Sequence, residues 1–257
     1  MTAYARLSRQ GAIATLTLCN PERLNALPGP AHHQLSSLFD QLAADPEVRV
    51  VIVTGEGRAF CAGYDLHDDL EGGDLELPGS GFAGLTWRED YPLPLIAAVD
   101  GMAFGGGFEL ALACDLIVAT NTARFALPEP RVGWAALGGG VQRLPQSIGM
   151  KRAMGIILTG RHVPAAEGLE LGFVNQVVAT DQLQDAALEW AKKIAACAPL
   201  AVRCSKQVAY ASFDEPDFAR RMNPHSYPTT RPMLDSQDAL EGRRAFAEKR
   251  QPQWKGQ

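Results

Sequence analysis

The chain has 257 residues, 46% hydrophobic and 21% charged, which is enough to bury one large core or a core with a smaller appendage. A formal charge of −5 with no long basic run argues against a nucleic-acid surface, although Arg243, Arg244, Lys249, Arg250 and Lys255 make one end locally basic. Five cysteines without CxxC spacing, an N-terminus unlike a signal peptide, and no apolar run of spanning length predict reduced thiols in a soluble cytoplasmic protein with no membrane partner.

Ala12–Leu18 alternates aliphatic residues with threonine and reads as a half-buried strand. Helical spacing follows over His32–Ala44, where the adjacent His32 and His33 point their rings apart. The β-branched run VRVVIV (Val48–Val53) reads as a strand covered on both faces. Leu95–Val99, Leu116–Ala119 and Phe173–Val178 are further strands, with a helical stretch from about Lys151 before the last. Between Leu66 and Pro94 the chain is glycine-rich and aperiodic, the mark of a functional lid or a mobile loop. From Asp181 onward the pattern turns helical, over Leu183–Ala196, Leu200–Ala211 and Asp238–Lys249, with the proline-rich stretch Asn223–Pro232 intervening.

Three stretches carry chemistry. GMAFGGGFELALACD (Gly101–Asp115) lacks the Gly-Lys-Ser/Thr of a phosphate loop and the spacing of a dinucleotide fingerprint. What remains is a turn with bare N–H groups at the positive end of a helix dipole, suited to a negative oxygen, or plain close packing of helix on strand. RAFCAGYDL (Arg58–Leu66) is a second small-residue turn in which Ala62 and Gly63 allow close backbone approach, and Asp65 suits a helix cap. Two such turns aiming one N–H each at a common point would form an oxyanion hole.

In FALPEP (Phe125–Pro130), Pro128 and Pro130 fix the backbone around Glu129. Glu109 and Glu129 are the two acids in apolar settings, and sharing one dry pocket would push their pKa values apart. The alternatives are a first-turn glutamate favoured by the dipole and an exposed loop glutamate. His67, Asp68, Asp69 and Glu71 share no face, and no metal site is expected.

AFCAGYDL, PLIAAVDGMAFGGGFELALACD, FALPEPRVG followed by GGGVQRLP, and AFAEKRQPQWKG together resemble the enoyl-CoA hydratase/isomerase, or crotonase, superfamily over nearly the whole chain. GFAGLT (Gly81–Thr86), the ALPE segment and the AFAEKR ending are most similar to the branch that interconverts carnitinyl-CoA and crotonobetainyl-CoA.

The resemblance implies an α/β fold, a superhelix of strand-strand-helix turns (residues 1–180) that binds acyl-CoA, with a helical C-terminal region (181–257) that builds trimers or hexamers. It implies an oxyanion hole from the N–H groups of Tyr64 and Gly106. Glu109 and Glu129 would hold a water between them, one helping it attack C3 while Glu129 exchanges the proton at C2. Arg23, the backbone of Cys61, Ala62, Gly63, Tyr64, Asp65 and Leu66, and Phe246 and Lys249 from a neighbouring subunit would meet coenzyme A, which arrives as part of the substrate, so no separate cofactor is expected.

Trp134, Ala136 and Leu137 depart from the common pattern and would reshape the water or acyl pocket. A quaternary ammonium on the substrate would call for aromatic faces, for which Trp87, Tyr91 and Trp134 are candidates. An isomerase using one glutamate, and an idle acyl-CoA-binding oligomer, are the competing readings.

Overall fold

The β-branched run VRVVIV is covered on both faces as expected: Val51 and Val53 face one side of a sheet while Val50 and Ile52 face the other, and all four are buried. The structure, a computed structural model, describes residues 3–65, 77–213 and 215–257. In chain order, β1 (Ala5–Gln10) and β2 (Ile13–Leu18) form a hairpin, then come α1 (Gly29–Ala44), β3 (Val50–Gly55) and β4 (Ala59–Cys61). β5 (Leu95–Val99), β6 (Met102–Phe104), α2 (Gly106–Ala113), β7 (Leu116–Thr120) and β8 (Arg124–Ala126) follow. Next are α3 (Gly140–Ile148), α4 (Met150–Ile157), β9 (Val163–Pro164), α5 (Ala165–Leu171), β10 (Gln176–Val178), α6 (Leu183–Ala195), α7 (Pro199–Phe213) and a last long helix, Gln237–Glu248.

Six strands make one sheet in the order β1-β2-β3-β5-β7-β10, parallel except for the β1–β2 hairpin at its edge. The edge strand β1 buries Ala5 alone and exposes its other five residues, which leaves charged side chains at the edge and discourages further pairing. A second sheet, β4-β6-β8-β9, is built from strands of two or three residues. α6 lays Leu183, Ala186, Ala187 and Ala191 on Ile13, Val50, Ile52, Ile96, Ala98 and Val118. The opposite face of the sheet closes over a core that includes Leu35, Phe39, Phe60 and a triad of Phe108, Phe125 and Phe173, with ring centroids 5.1 to 5.2 Å apart.

Several boundaries differ from the sequence expectation for local reasons. α1 begins at Gly29, three residues early, because Pro30 stands in its first turn, where a missing N–H costs nothing. The strand expected over Phe173–Val178 spans only Gln176–Val178, since Phe173 and Val174 close the end of α5 by donating to Gly168 O. The proline-rich stretch contains a 3-10 turn, Pro224–Ser226, and a short helix, Thr230–Leu234.

The Leu66–Pro94 segment divides. Residues 66–76, including Leu66, His67, Asp68, Asp69 and Glu71, lie outside the described residues. Residues 77–94 are pinned to α1: a Cβ on Gly84 would stand 2.2 Å from Ser36 N, Arg88 pairs with Asp40 at 2.7 Å, and Arg88 also donates to Ser36 O at 3.1 Å.

The end of the chain is tied down. Asp238, 2% exposed, accepts from the N–H groups of Lys255 (2.7 Å) and Gly256 (2.8 Å), and Trp254 donates its indole N–H to Ala196 O at 2.7 Å. Among the described residues, no helix is long and apolar enough to cross a membrane, and all five cysteines are free thiols.

Candidate active site

Asn25, fully buried, organises the first wall. Its Oδ1 accepts from Asn20 N–H at 2.9 Å and its amide donates to the carbonyls of Glu56 (2.9 Å) and Ala59 (2.8 Å). This lays residues 24–27 along the Cys61–Asp65 segment. Ala62 N–H donates to Leu24 O at 2.9 Å, Leu27 N–H to Gly63 O at 2.9 Å, and Asp65 N–H to Leu27 O at 3.1 Å. In an extended chain N–H groups alternate sides, so residues 62 and 65 would face oppositely. Gly63, at φ +99°, breaks the alternation and leaves the N–H of Tyr64 directed away from Leu27.

The second wall is the start of α2. Gly105, at φ +53°, turns the chain out of β6, and its carbonyl accepts from Phe108 (2.9 Å) and Glu109 (3.0 Å). The first-turn N–H of Gly106 has no hydrogen-bond acceptor among the described residues.

The two walls touch through their glycines. A Cβ on Gly107 would lie 2.0 Å from Cys61 O, and one on Gly63 would lie 2.8 Å from Phe104 O and 3.1 Å from Gly106 N. Gly106 itself is covered by Phe82, whose ring atoms would stand 2.4 to 2.7 Å from an added Cβ. The glycine run is thus a close-approach motif between two backbones, and Gly106 also presents a bare N–H.

Glu109, 4% exposed, sits one turn inside α2 and accepts from Gly140 N–H at 2.9 Å. Gly138 leaves space for this carboxyl, since a Cβ there would lie 2.5 Å from Oε2. Burial pushes the Glu109 carboxyl up to about 7, with the N–H of Gly140 opposing and the neighbouring Glu129 adding to the rise.

Glu129 opens a 3-10 turn, Glu129–Val132, set by Pro128, and points its Oε1 back at Gly105, 3.0 Å from where a Cβ would stand. Its Oε2 is buried without a hydrogen-bond partner among the described residues, and burial raises its pKa as well. Both carboxyls therefore move upward, and desolvation, more than mutual repulsion, is the main cause.

A raised carboxyl favours the fold in its protonated form. That contribution is complete below the unfolded value of 4.5 and is lost as pH rises through about 7. Glu109→Gln should therefore match the parent near pH 4.5 and exceed its stability by about 3 kcal/mol above pH 7, as read from urea midpoints across that range. Equal midpoints at pH 8 would show that Glu109 carries no such cost.

Arg23 reaches both oxygens of Asp65 (3.2 and 3.0 Å), so Asp65, 7% exposed, is held by an ion pair. The residues that a helix cap at Asp65 would serve lie outside the described set. Cys61 donates its thiol to Asn25 O at 3.1 Å, and burial pushes it up to about 12, so it is an inert structural thiol. Phe246 is 88% exposed, so its ring is almost wholly uncovered by the described residues, and Lys249, at φ +54°, ends the last helix with its ammonium unpaired among the described residues.

Sequence reasoning did not single out Phe82, Gly138 or Gly140 individually, nor the burial of His32. The GGG signal at 138–140 was present, but nothing local to it names Glu109 as its neighbour. Of the aromatic candidates, Trp134 stacks on Tyr64 (6.2 Å, 26°). Tyr91 is buried, donates its hydroxyl to Phe39 O at 3.0 Å, and already has Arg88 and Lys206 5.8 and 5.7 Å from its ring centroid. Trp87 is 51% exposed and lies over Gly81. A wide cleft of about 1160 Å³, lined by Asp115, Arg143, Lys206 and Tyr210, meets this site at Thr86 and Gly139.

Two glycine turns thus lie in backbone contact, with one buried and one half-buried carboxyl beside them, in a chain of the crotonase fold. The chain belongs to the enoyl-CoA hydratase/isomerase family, whose model matches residues 8–257. It is 42% identical, over the whole of both chains, to the carnitinyl-CoA dehydratase of Proteus mirabilis (strain HI4320). Among solved structures it is similar to the enoyl-CoA hydratase from Mycobacterium tuberculosis H37Rv (40% identity, TM-score 0.91, 99% of both chains). It is also similar to the enoyl-CoA hydratase from Bacillus anthracis (33% identity, TM-score 0.92, 99% of this chain and 100% of the other). The family and fold expected from the sequence are those found.

Proposed function

We propose that the protein is an enoyl-CoA hydratase that adds water reversibly across the 2,3 double bond of an enoyl-CoA thioester, with carnitinyl-CoA dehydration as the first reverse reaction to try. The observation that carries this reading is the carboxyl pair of buried Glu109 and half-buried Glu129, whose Oε2 is enclosed, flanking Gly105 and Gly106. An isomerase needs one carboxyl to shuttle a proton, whereas hydration uses two.

The thioester carbonyl lies against the N–H groups of Tyr64 and Gly106, which stabilise negative charge as it builds on oxygen. Glu109, ionised, takes a proton from water as the water oxygen bonds to C3. The π electrons move to the enolate oxygen, and Glu129, protonated, then delivers its proton to C2 as the enolate collapses. Dehydration is the reverse. Coenzyme A comes with the substrate, and the steps use no metal or separate cofactor. Arg23 and the 61–66 backbone meet the coenzyme A moiety, and Phe246 and Lys249 close over it from a neighbouring copy in a trimer or hexamer. The exposed Phe246 ring favours that arrangement. In the same reading the chain divides near residue 180 into an acyl-CoA-binding core and an oligomerisation region.

Purified protein should hydrate crotonyl-CoA. The rate constant kcat/KM should fall about tenfold per pH unit below about 7, because the base must be ionised. Formation of a 3-enoyl product instead would favour the isomerase, and binding without turnover of crotonyl-CoA or crotonobetainyl-CoA would favour the idle oligomer.

A further inference from the structure

His32 and His33 diverge as expected: His33 is exposed, while His32 is fully buried. The His32 ring stacks on Tyr64 (6.1 Å, 16°) and tilts against Phe82 (4.6 Å, 52°), the ring that covers Gly106. Its Nδ1 accepts from the N–H of Ala83 at 3.0 Å, a bond made possible by the left-handed turn at Ala83 (φ +51°). An imidazole that accepts at Nδ1 carries its proton on Nε2 when neutral. Burial lowers His32 to about 4, so it is neutral at physiological pH.

The Nε2–H then has no acceptor among the described residues. A buried donor left unmade costs about 1 to 3 kcal/mol. Thr86, 1% exposed and four residues beyond Phe82, carries a hydroxyl that is likewise without a partner among the described residues. Two unsatisfied donors thus flank the wall made by Phe82. Among the described residues no carboxylate side chain takes either of them, and of the three aromatic faces considered for a quaternary ammonium only Trp134 has a recorded stack on a ring of this wall.

We propose that His32 is a specificity-determining residue whose Nε2–H donates to an oxygen on the acyl chain, selecting enoyl-CoA substrates that carry a carbonyl or carboxylate oxygen beyond C4. The inference rests on the hydratase reading and names its substrate class. A quaternary ammonium offers this donor no lone pair, so crotonobetainyl-CoA falls on the disfavoured side.

The test compares hydration of two length-matched pairs, hex-2-enoyl-CoA with 5-oxohex-2-enoyl-CoA and hept-2-enoyl-CoA with 6-oxohept-2-enoyl-CoA, beside crotonyl-CoA and crotonobetainyl-CoA. In the parent protein, kcat/KM for at least one oxo substrate should exceed its partner's by about tenfold, the worth of one recovered hydrogen bond. His32→Phe should bring that ratio within threefold, while His32→Gln, which keeps a donor at similar reach, should retain it.

Equal rates within both pairs, an oxo preference that survives His32→Phe, or crotonobetainyl-CoA as the best substrate would each overturn the proposal. Turnover of crotonyl-CoA in any of those cases leaves the hydratase reading standing, whereas no turnover of any enoyl-CoA removes both. Should the variants not fold, the ring ¹H–¹⁵N resonance of His32 in the parent protein decides. It should move downfield with 5-oxohexanoyl-CoA or 6-oxoheptanoyl-CoA and stay with the hexanoyl and heptanoyl esters; no difference refutes the contact.

Discussion

Glu129→Gln should lower kcat for crotonyl-CoA hydration by about 10³- to 10⁴-fold, with coenzyme A binding within twofold of the parent. The substitution preserves volume and keeps an oxygen toward Gly105, where Oε1 now lies 3.0 Å from the position of an added Cβ. It removes the proton that C2 must receive. Because Oε2 has no partner among the described residues, the amide breaks no bond that holds the fold, and the thermal midpoint should stay close to that of the parent. A kcat within tenfold of the parent would remove Glu129 from the chemistry and leave Glu109 as the sole carboxyl of an isomerase.

Gly106→Ala and Gly107→Ala should separate catalysis from folding, although the two residues are adjacent. At Gly106 the atoms nearest the new methyl are the end of the Phe82 ring, 2.4 to 2.7 Å away, and a ring end can turn aside. The fold should survive, while a displaced N–H costs about 10²- to 10³-fold in kcat, the usual loss for one oxyanion donor. At Gly107 the methyl meets Cys61 O at 2.0 Å, and backbone cannot step away without moving β4. That variant should lose about 3 kcal/mol of stability or more, visible as a lowered urea midpoint before any assay. Similar kcat losses and similar midpoints in the two variants would deny that the glycines have distinct tasks.

Four strands of the large sheet, β2, β3, β5 and β7, were readable because each runs five or six residues with side chains buried on both faces, as Val50–Val53 and Leu95–Val99 illustrate. The second sheet was not, since β4, β6, β8 and β9 have two or three residues each and a period of two needs more to show itself. β1 escaped because a lone buried Ala5 leaves no alternation.

At the site, the glycine turn and Glu109 announced themselves as an anion-ready helix start. Glu129 was marked by its flanking prolines. The partners of Glu109 could not be read in the same way: Gly138 and Gly140 are about thirty residues away, and only the packing of α3 against α2 joins them. His32 looked like one of two helix histidines, and its isolation depends on a turn at Ala83 that no local pattern requires.

The break in N–H alternation at Gly63 has a consequence for how such a site diversifies. The two donors proposed to hold the thioester oxygen are peptide groups, positioned by Gly63, Gly105 and the bonds of residues 24–27. Side chains at 32, 64, 82 and 134 form a separate set of rings over them. Substitutions among those rings can retune which acyl group is accepted while the charge-stabilising frame is inherited unchanged, so selection can explore substrates one ring at a time without passing through an inactive intermediate.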